Sequence, residues 1–255
     1  MRRQELNKVL DELLSASSIK DYCPNGLQVE GSQEIKRIVS GVTASQALID
    51  SAIEREADTI LVHHGYFWKN EAQVLVGMKH KRIKSLFQND INLFAYHLPI
   101  DVHPTLGNNA QIGKRLGLEN IVALPDITPQ GIVMSGRLPQ PISHQQLTSI
   151  LSSVFARQVV SVGDKQNISQ LAWCSGGGQN YIDAVVDIQV EGKPIDAFIS
   201  GEISEQTTHS AREQGIDYFA VGHHASERYG VKAVGEWLAQ HFDVEVQFVD
   251  IDNPA

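Results

Sequence analysis

Short β-branched runs alternate along this chain with amphipathic stretches of helical period, a pattern that predicts βαβ units and a mainly parallel or mixed sheet flanked by helices. Ile35 to Ser40 reads as a strand, Ser45 to Glu56 as a helix and Asp58 to Val62 as the next strand. Helices over Lys79 to Gln88 and Asn109 to Leu116, with strands over Ile91 to Tyr96 and Ile121 to Leu124, continue the series. Beyond them come a helix over Ser143 to Ser153, strands over Arg157 to Val162 and Gln170 to Cys174, and a turn at Gly176-Gly177-Gly178. The opening MRRQELNKVLDELL spreads its charges through the segment and so reads as an amphipathic helix, not a secretory signal.

The stretch Pro125 to Pro141 carries prolines at 125, 129, 139 and 141, which places a lobe boundary or crossing connection there. The expected organisation is an N-terminal lobe over 1–125 and a C-terminal lobe over 126–255, intertwined or fused into one domain. An internal repeat supports two related lobes. Laid over 198–224, residues 38–64 match at an offset of 160: Ser40-Gly41 meets Ser200-Gly201, Gln46 meets Gln206, and His63-His64 meets His223-His224. Each half reads as strand, glycine turn, helix, strand and a histidine doublet, delivered at the carboxyl end of a strand, where open α/β sheets bind ligands.

Composition narrows the function classes. Hydrophobic residues at 42% and charged residues at 20% describe a globular chain. Lys plus Arg number 21 against 30 Asp plus Glu, a net charge of −9 with no basic cluster, which argues against nucleic acid or an anionic membrane as partner. No apolar run approaches the ~20 residues of a spanning helix, and a cytoplasmic location is expected. Cys23 and Cys174 are too few for a disulfide framework and read as ordinary buried thiols.

Ten histidines in 255 positions rarely form adjacent pairs by chance, yet two doublets occur, each after an apolar strand. Neighbours leaving a strand point to opposite sides, so a doublet is expected to offer one ring to each of two neighbouring ions. Imidazole with carboxylate suits Zn, Mn, Fe, Co or Ni. Asp101, in Tyr96-His97-Leu98-Pro99-Ile100-Asp101-Val102-His103-Pro104, is a candidate carboxylate ligand. His97 in the same loop reads as a ligand, a partner to a ligand, or an acid/base group, and His103 as exposed. In Gly222-His223-His224-Ala225-Ser226-Glu227, Ser226 reads as an N-cap, and His223 and Glu227, four apart, can face one ion if the helix begins early. Tyr66-Phe67-Trp68-Lys69 could stack a flat ring, although packing under a loop is the commoner outcome. Gly176 to Gly178 lacks phosphate-loop spacing and reads, like Asn25-Gly26, as a turn.

Taken together, His63-His64-Gly65, His97 with Asp101, Gly222-His223 with Glu227, and Asn25-Gly26-Leu27-Gln28, in this order and over nearly the whole chain, resemble the GTP cyclohydrolase I type 2 homologues, also called the Nif-three-like family, in its short bacterial form. The resemblance implies a dinuclear metal site between two α/β lobes. It carries the metal-ligand role onto His63, His64, Asp101, His223 and Glu227, with the glutamate bridging two divalent ions per subunit, and it implies a toroidal homohexamer. His224 is not required by the family pattern. The reading that follows is a metal-dependent hydrolase acting on GTP or another nucleotide or heterocycle, with His97 transferring the proton to the leaving group. A metal-binding scaffold or regulatory protein without turnover is the alternative.

Overall fold

Strands stand where the β-branched runs lie and helices where the amphipathic stretches lie, in a computed structural model that describes all 255 residues. In chain order the elements are α1 (Arg3–Leu13), β1 (Gly26–Val29), β2 (Arg37–Thr43), α2 (Gln46–Glu54), β3 (Thr59–His64), α3 (Gly77–Gln88), β4 (Asn92–Ala95), α4 (Leu98–Val102), α5 (Asn108–Arg115), β5 (Glu119–Ala123) and β6 (Met134–Ile142). There follow α6 (His144–Phe155), β7 (Val160–Val162), β8 (Ile168–Trp173), α7 (Ile182–Val186), the small hairpin β9 (Gln189–Val190) and β10 (Lys193–Pro194), β11 (Ala197–Ser200), α8 (Glu205–Gln214), β12 (Asp217–Ala220), α9 (His223–His241) and β13 (Glu245–Phe248). The fold is mixed α/β, as the alternation predicts.

Two compact units emerge, one of Met1–Ile100 with Arg228–Asp252, the other of Asp101–Glu227 with Asn253–Ala255. The division therefore falls at 100/101 and 227/228, and the proline-rich stretch expected as a boundary lies inside the second unit. Its prolines 139 and 141 sit in β6, where the pairing of β6 with β8 shifts register between Arg137 and Ile142. A proline has no N–H to offer a ladder, so it is tolerated where the ladder is already interrupted.

The first unit is built on the sheet β1-β4-β3-β2-β13, parallel throughout except for the antiparallel edge strand β1. Ile38, Val39 and Val42 of β2 and Ile60, Leu61 and Val62 of β3 are all buried, as expected of central parallel strands covered on both faces. Ser45 caps α2 by accepting from Leu48 N at 3.2 Å, and Leu48, Ile49 and Ala52 face the sheet.

The second unit carries the sheet β5-β6-β8-β11-β12-β7, with parallel pairing confined to β8-β11-β12. Its edge strand β7 is fastened by His144 at the start of α6. Nδ1 of this imidazole lies 2.7 Å from Asp217 Oδ2 and Nε2 lies 2.8 Å from Ser161 Oγ, while the ring stacks on Phe219 at 4.6 Å. The repeat appears as β2-α2-β3 in one unit and β11-α8-β12 in the other. It ends at the doublets: His63 and His64 close a strand, whereas His223 and His224 open a helix.

Candidate metal centre

In the first unit, parallel pairing sets Val62 of β3 beside Ala95 of β4, so the residues leaving both strands, His63-His64 and Tyr96-His97, emerge side by side. The three imidazoles have centroids 4.5 Å (His63 to His64), 5.1 Å (His63 to His97) and 5.7 Å (His64 to His97) apart. Their candidate ligand atoms all lie within 4.8 Å of one another. The doublet rings therefore converge instead of pointing to opposite faces, because His64 is the last residue of its strand. These three could hold a metal ion.

Two of these rings are oriented by hydrogen bonds that define their tautomer. His63 Nδ1 lies 3.1 Å from Tyr96 O. A carbonyl only accepts, so Nδ1 carries the proton and Nε2 the lone pair that a metal takes. His97 Nδ1 lies 2.9 Å from Asp21 Oδ1, and Asn25 Oδ1 accepts from His97 N at 2.8 Å. Burial alone would raise the Asp21 carboxyl, but the hydrogen bond and charge of His97, with help from Asn25 and the Tyr22 N–H, lower it to about 2. A carbonyl or carboxylate behind Nδ1 is the usual support of a ligating histidine. His64 Nδ1 lies 3.4 Å from Thr43 Oγ1. Burial and then Asp21 push the Cys23 thiol up to about 12, so it stays protonated.

In the second unit, the connection from β12 turns at Gly222 with φ +95° and α9 begins at His223. Ser226 is consequently not the N-cap but a residue of the first turn; its hydroxyl donates to His223 O at 2.8 Å and accepts from Gly176 N at 2.9 Å. The early start brings His223 Nε2 within 3.2 Å of Glu227 Oε2 one turn on. His223 Nδ1 meets Glu202 Oε1 at 2.7 Å. Burial opposes a charge on His223, yet Glu227 and Glu202 together outweigh it and raise the imidazole to about 9.

Asp101 lies in the short helix α4, where the sequence suggested a loop in extended or turn geometry; Pro99 fits this helix because a first turn needs no N–H there. Its Oδ1 accepts from Asn108 Nδ2 at 2.9 Å and Ser175 Oγ at 2.8 Å. The buried Cys174 thiol is raised well above its usual range by burial, then by Asp101 and Glu227, which puts both carboxylates in its surroundings. Gly176, in the turn after β8, has φ +61°, and a Cβ there would overlap Glu227 Oε1 and stand 3.2 Å from His223 Nε2. This glycine lets the backbone close over the His223–Glu227 pair, a role the spacing argument did not assign to the turn.

The structure thus groups His63, His64 and His97 in one unit and His223 with Glu227 in the other, where Asp101 also lies. His224 is in neither group, and its backbone N–H donates to Ala255 O at 3.3 Å. His103 is half-buried, not exposed, and its Nδ1 accepts from Leu106 N at 3.0 Å. Asp21 and Glu202 were missed by the sequence reading, because a lone acid in a loop carries no pattern until its histidine is beside it.

A family model described as Duf34/NIF3 (NGG1p interacting factor 3) matches residues 1–254. The "GTP cyclohydrolase 1 type 2 homolog" of Vibrio cholerae is 54% identical over 257 residues, covering 100% of both chains, and that of Escherichia coli strain K12 is 48% identical over the same span. The solved structure of protein ybgI, of unknown function, superposes with a TM-score of 0.93 at 47% identity over 100% of both chains. TTHA1606 from Thermus thermophilus superposes with a TM-score of 0.89 at 31% identity, again over 100% of both. With the whole length matched by family, sequence relatives and structures alike, the chain belongs to the Duf34/NIF3 (NGG1p interacting factor 3) family.

Proposed function

We propose that this protein is a dinuclear-metal-dependent hydrolase acting on a nucleotide or related heterocycle. His63, His64, Asp101, His223 and Glu227 would hold two divalent ions per chain, drawn from Zn, Fe, Mn, Co and Ni, whose affinities for nitrogen and carboxylate donors overlap. Such ions supply Lewis acidity to the bond under attack. The observation that carries the reading is the support behind the imidazoles: Tyr96 O behind His63 and Glu202 behind His223 leave Nε2 of each ring as the donor atom. The names of the relatives favour a cyclohydrolase-like substrate.

The chain's own residues divide the remaining work. Asp21 accepts from His97 Nδ1, so Nε2 of the neutral ring takes a proton from the attacking water and, as an imidazolium balanced by the carboxylate, returns it to the leaving group. Asn108 and Ser175 donate to Asp101 Oδ1, which fixes the orientation of that carboxylate. The family reading extends to a toroidal homohexamer working in the cytoplasm on a small-molecule substrate.

Elemental analysis of the freshly purified protein should return two divalent ions per chain, and the loaded protein should turn over GTP, another nucleotide or a related heterocycle. A His64→Ala, Asp101→Ala double variant that matches wild-type turnover would refute the catalytic reading. Tight metal binding with no turnover of any of these compounds would favour a scaffold. A monomer in light scattering at micromolar concentration would count against the ring.

A further inference from the structure

Beside the imidazoles of the first unit stand two aromatic side chains that neither donate to a metal nor fill the core. The cluster after the first doublet separates into different fates: the Tyr66 ring is buried with its hydroxyl donating to Ala44 O at 2.7 Å, Phe67 lies under the Lys79 ammonium at 4.8 Å, and Trp68 stays half-exposed. The Trp68 ring centroid is 5.0 Å from that of His97 and 5.8 Å from that of His64, at 83° and 61° to their planes. Tyr22, 54% exposed, lies 5.2 Å from His97 and 6.4 Å from Trp68, tilted 33° to the indole.

Both rings are held there by their backbones. Lys69 N donates to Tyr22 O at 2.8 Å, Trp68 N to Glu71 Oε2 at 3.2 Å, and Tyr22 N to Asp21 Oδ1 at 2.7 Å, the carboxylate that also holds His97. An exposed phenol and a half-exposed indole, tilted 33° to one another and set beside the His97 and His64 rings, leave hydrophobic area uncovered unless a ligand covers it. A planar ring laid on this surface gains stacking on its face, while its polar rim meets imidazole and carboxylate groups. An aliphatic chain would use the apolar surface without the rim, and a sugar would offer no flat π-face to the rings.

We infer that Tyr22 and Trp68 form a stacking platform for a planar aromatic nitrogen heterocycle of nucleobase size, and so determine the substrate class of the site. This inference rests on the hydrolase proposal for the identity of the site but has its own readout in binding.

The test is calorimetric titration of the metal-loaded full chain with guanosine, adenosine, cytidine, uridine and ribose 5-phosphate. At least one nucleoside should bind well ahead of ribose 5-phosphate. Tyr22→Ala and Trp68→Ala should each weaken that binding roughly tenfold or more, on the scale of one base stacked on one aromatic ring, while Trp68→Phe retains most of it. Metal content should match wild type in all three variants, since neither ring is a donor. Failure of every nucleoside to bind, ribose 5-phosphate binding equally well, or unchanged affinity in the alanine variants would each overturn the platform. Stacking-dependent binding without turnover of any nucleotide defeats the hydrolase proposal alone; turnover with unchanged KM in a Tyr22→Ala, Trp68→Ala double variant defeats the platform alone.

Discussion

Replacing Gly176 by alanine is the sharpest perturbation this structure offers, because one methyl group tests the backbone and the candidate ligands together. With φ +61°, any L side chain at this position costs about 1–2 kcal/mol. The added Cβ would overlap Glu227 Oε1 outright and stand 3.0 Å from its Cδ, against an optimum near 3.5–4.0 Å, so the carboxylate oxygen must retreat by more than about 1 Å. Glu227 is 3% exposed, and its displacement in packed surroundings adds about 1 kcal/mol or more. The sum, about 2–3 kcal/mol, lowers Tm by roughly 5–10 °C in a chain of this size. Metal affinity should fall about tenfold or more, as it does when the support of a ligand is disturbed. Differential scanning calorimetry and metal titration read the two effects. Gly177→Ala is the internal control: its Cβ would meet nothing closer than Glu202 Oε2 at 3.7 Å, and it should stay within about 0.5 kcal/mol of wild type. Equal metal affinity in Gly176→Ala and wild type would show that Glu227 does not serve as a ligand in the observed position.

Asp21→Asn should flatten acid sensitivity in the metal-free protein. A carboxyl at about 2 when folded, against 3.8 ordinarily, contributes about 2 kcal/mol above pH 4 that is lost as pH falls toward 2; urea unfolding across that range with identical profiles for both proteins would contradict it. His223, raised to about 9, contributes stability that is complete below pH 6.5 and lost as pH rises through 9. Metal binding at pH 7 should therefore release a proton from it, and calorimetry in buffers of different ionisation enthalpy detecting no release would count against His223 as a ligand. His144→Ala leaves the buried Asp217 and the half-buried Ser161 without the bridging imidazole and should cost about 2–3 kcal/mol. Its urea midpoint reads the loss, and a change below about 0.5 kcal/mol would mean that β7 is held by its ladder alone.

The placement of the candidate histidines was legible from the sequence because they follow apolar strands. The doublet after Ile60-Leu61-Val62 and the His97 that follows Leu93-Phe94-Ala95 are placed by strand ends alone, and the repeat located β11, α8 and β12. Other elements were hidden by composition. Gly26–Val29 forms an edge strand although Asn25-Gly26 reads as a turn, and Met134–Ile142 forms a strand in spite of Pro139 and Pro141 because its register shift absorbs them. The start of α9 was placed four residues late: with Ser226 as cap the helix would open at Glu227, but the left-handed Gly222 had already turned the chain and it opens at His223. Asp21, Glu202 and Ser175 could not be found from pattern, since each acts through a neighbour distant in sequence.

The sheet of the first unit is completed last. Strand β13 borders β2, with Val246 opposite Ile38, so a growing polypeptide exposes the open rim of β2 from early in translation until the final segment is made. At 5–20 residues per second that wait lasts on the order of ten seconds or more, and unsatisfied strand rims recruit other chains. A product terminated ahead of Glu245 keeps this adhesive border permanently, so loss of this one short strand should register first as insolubility in the cell.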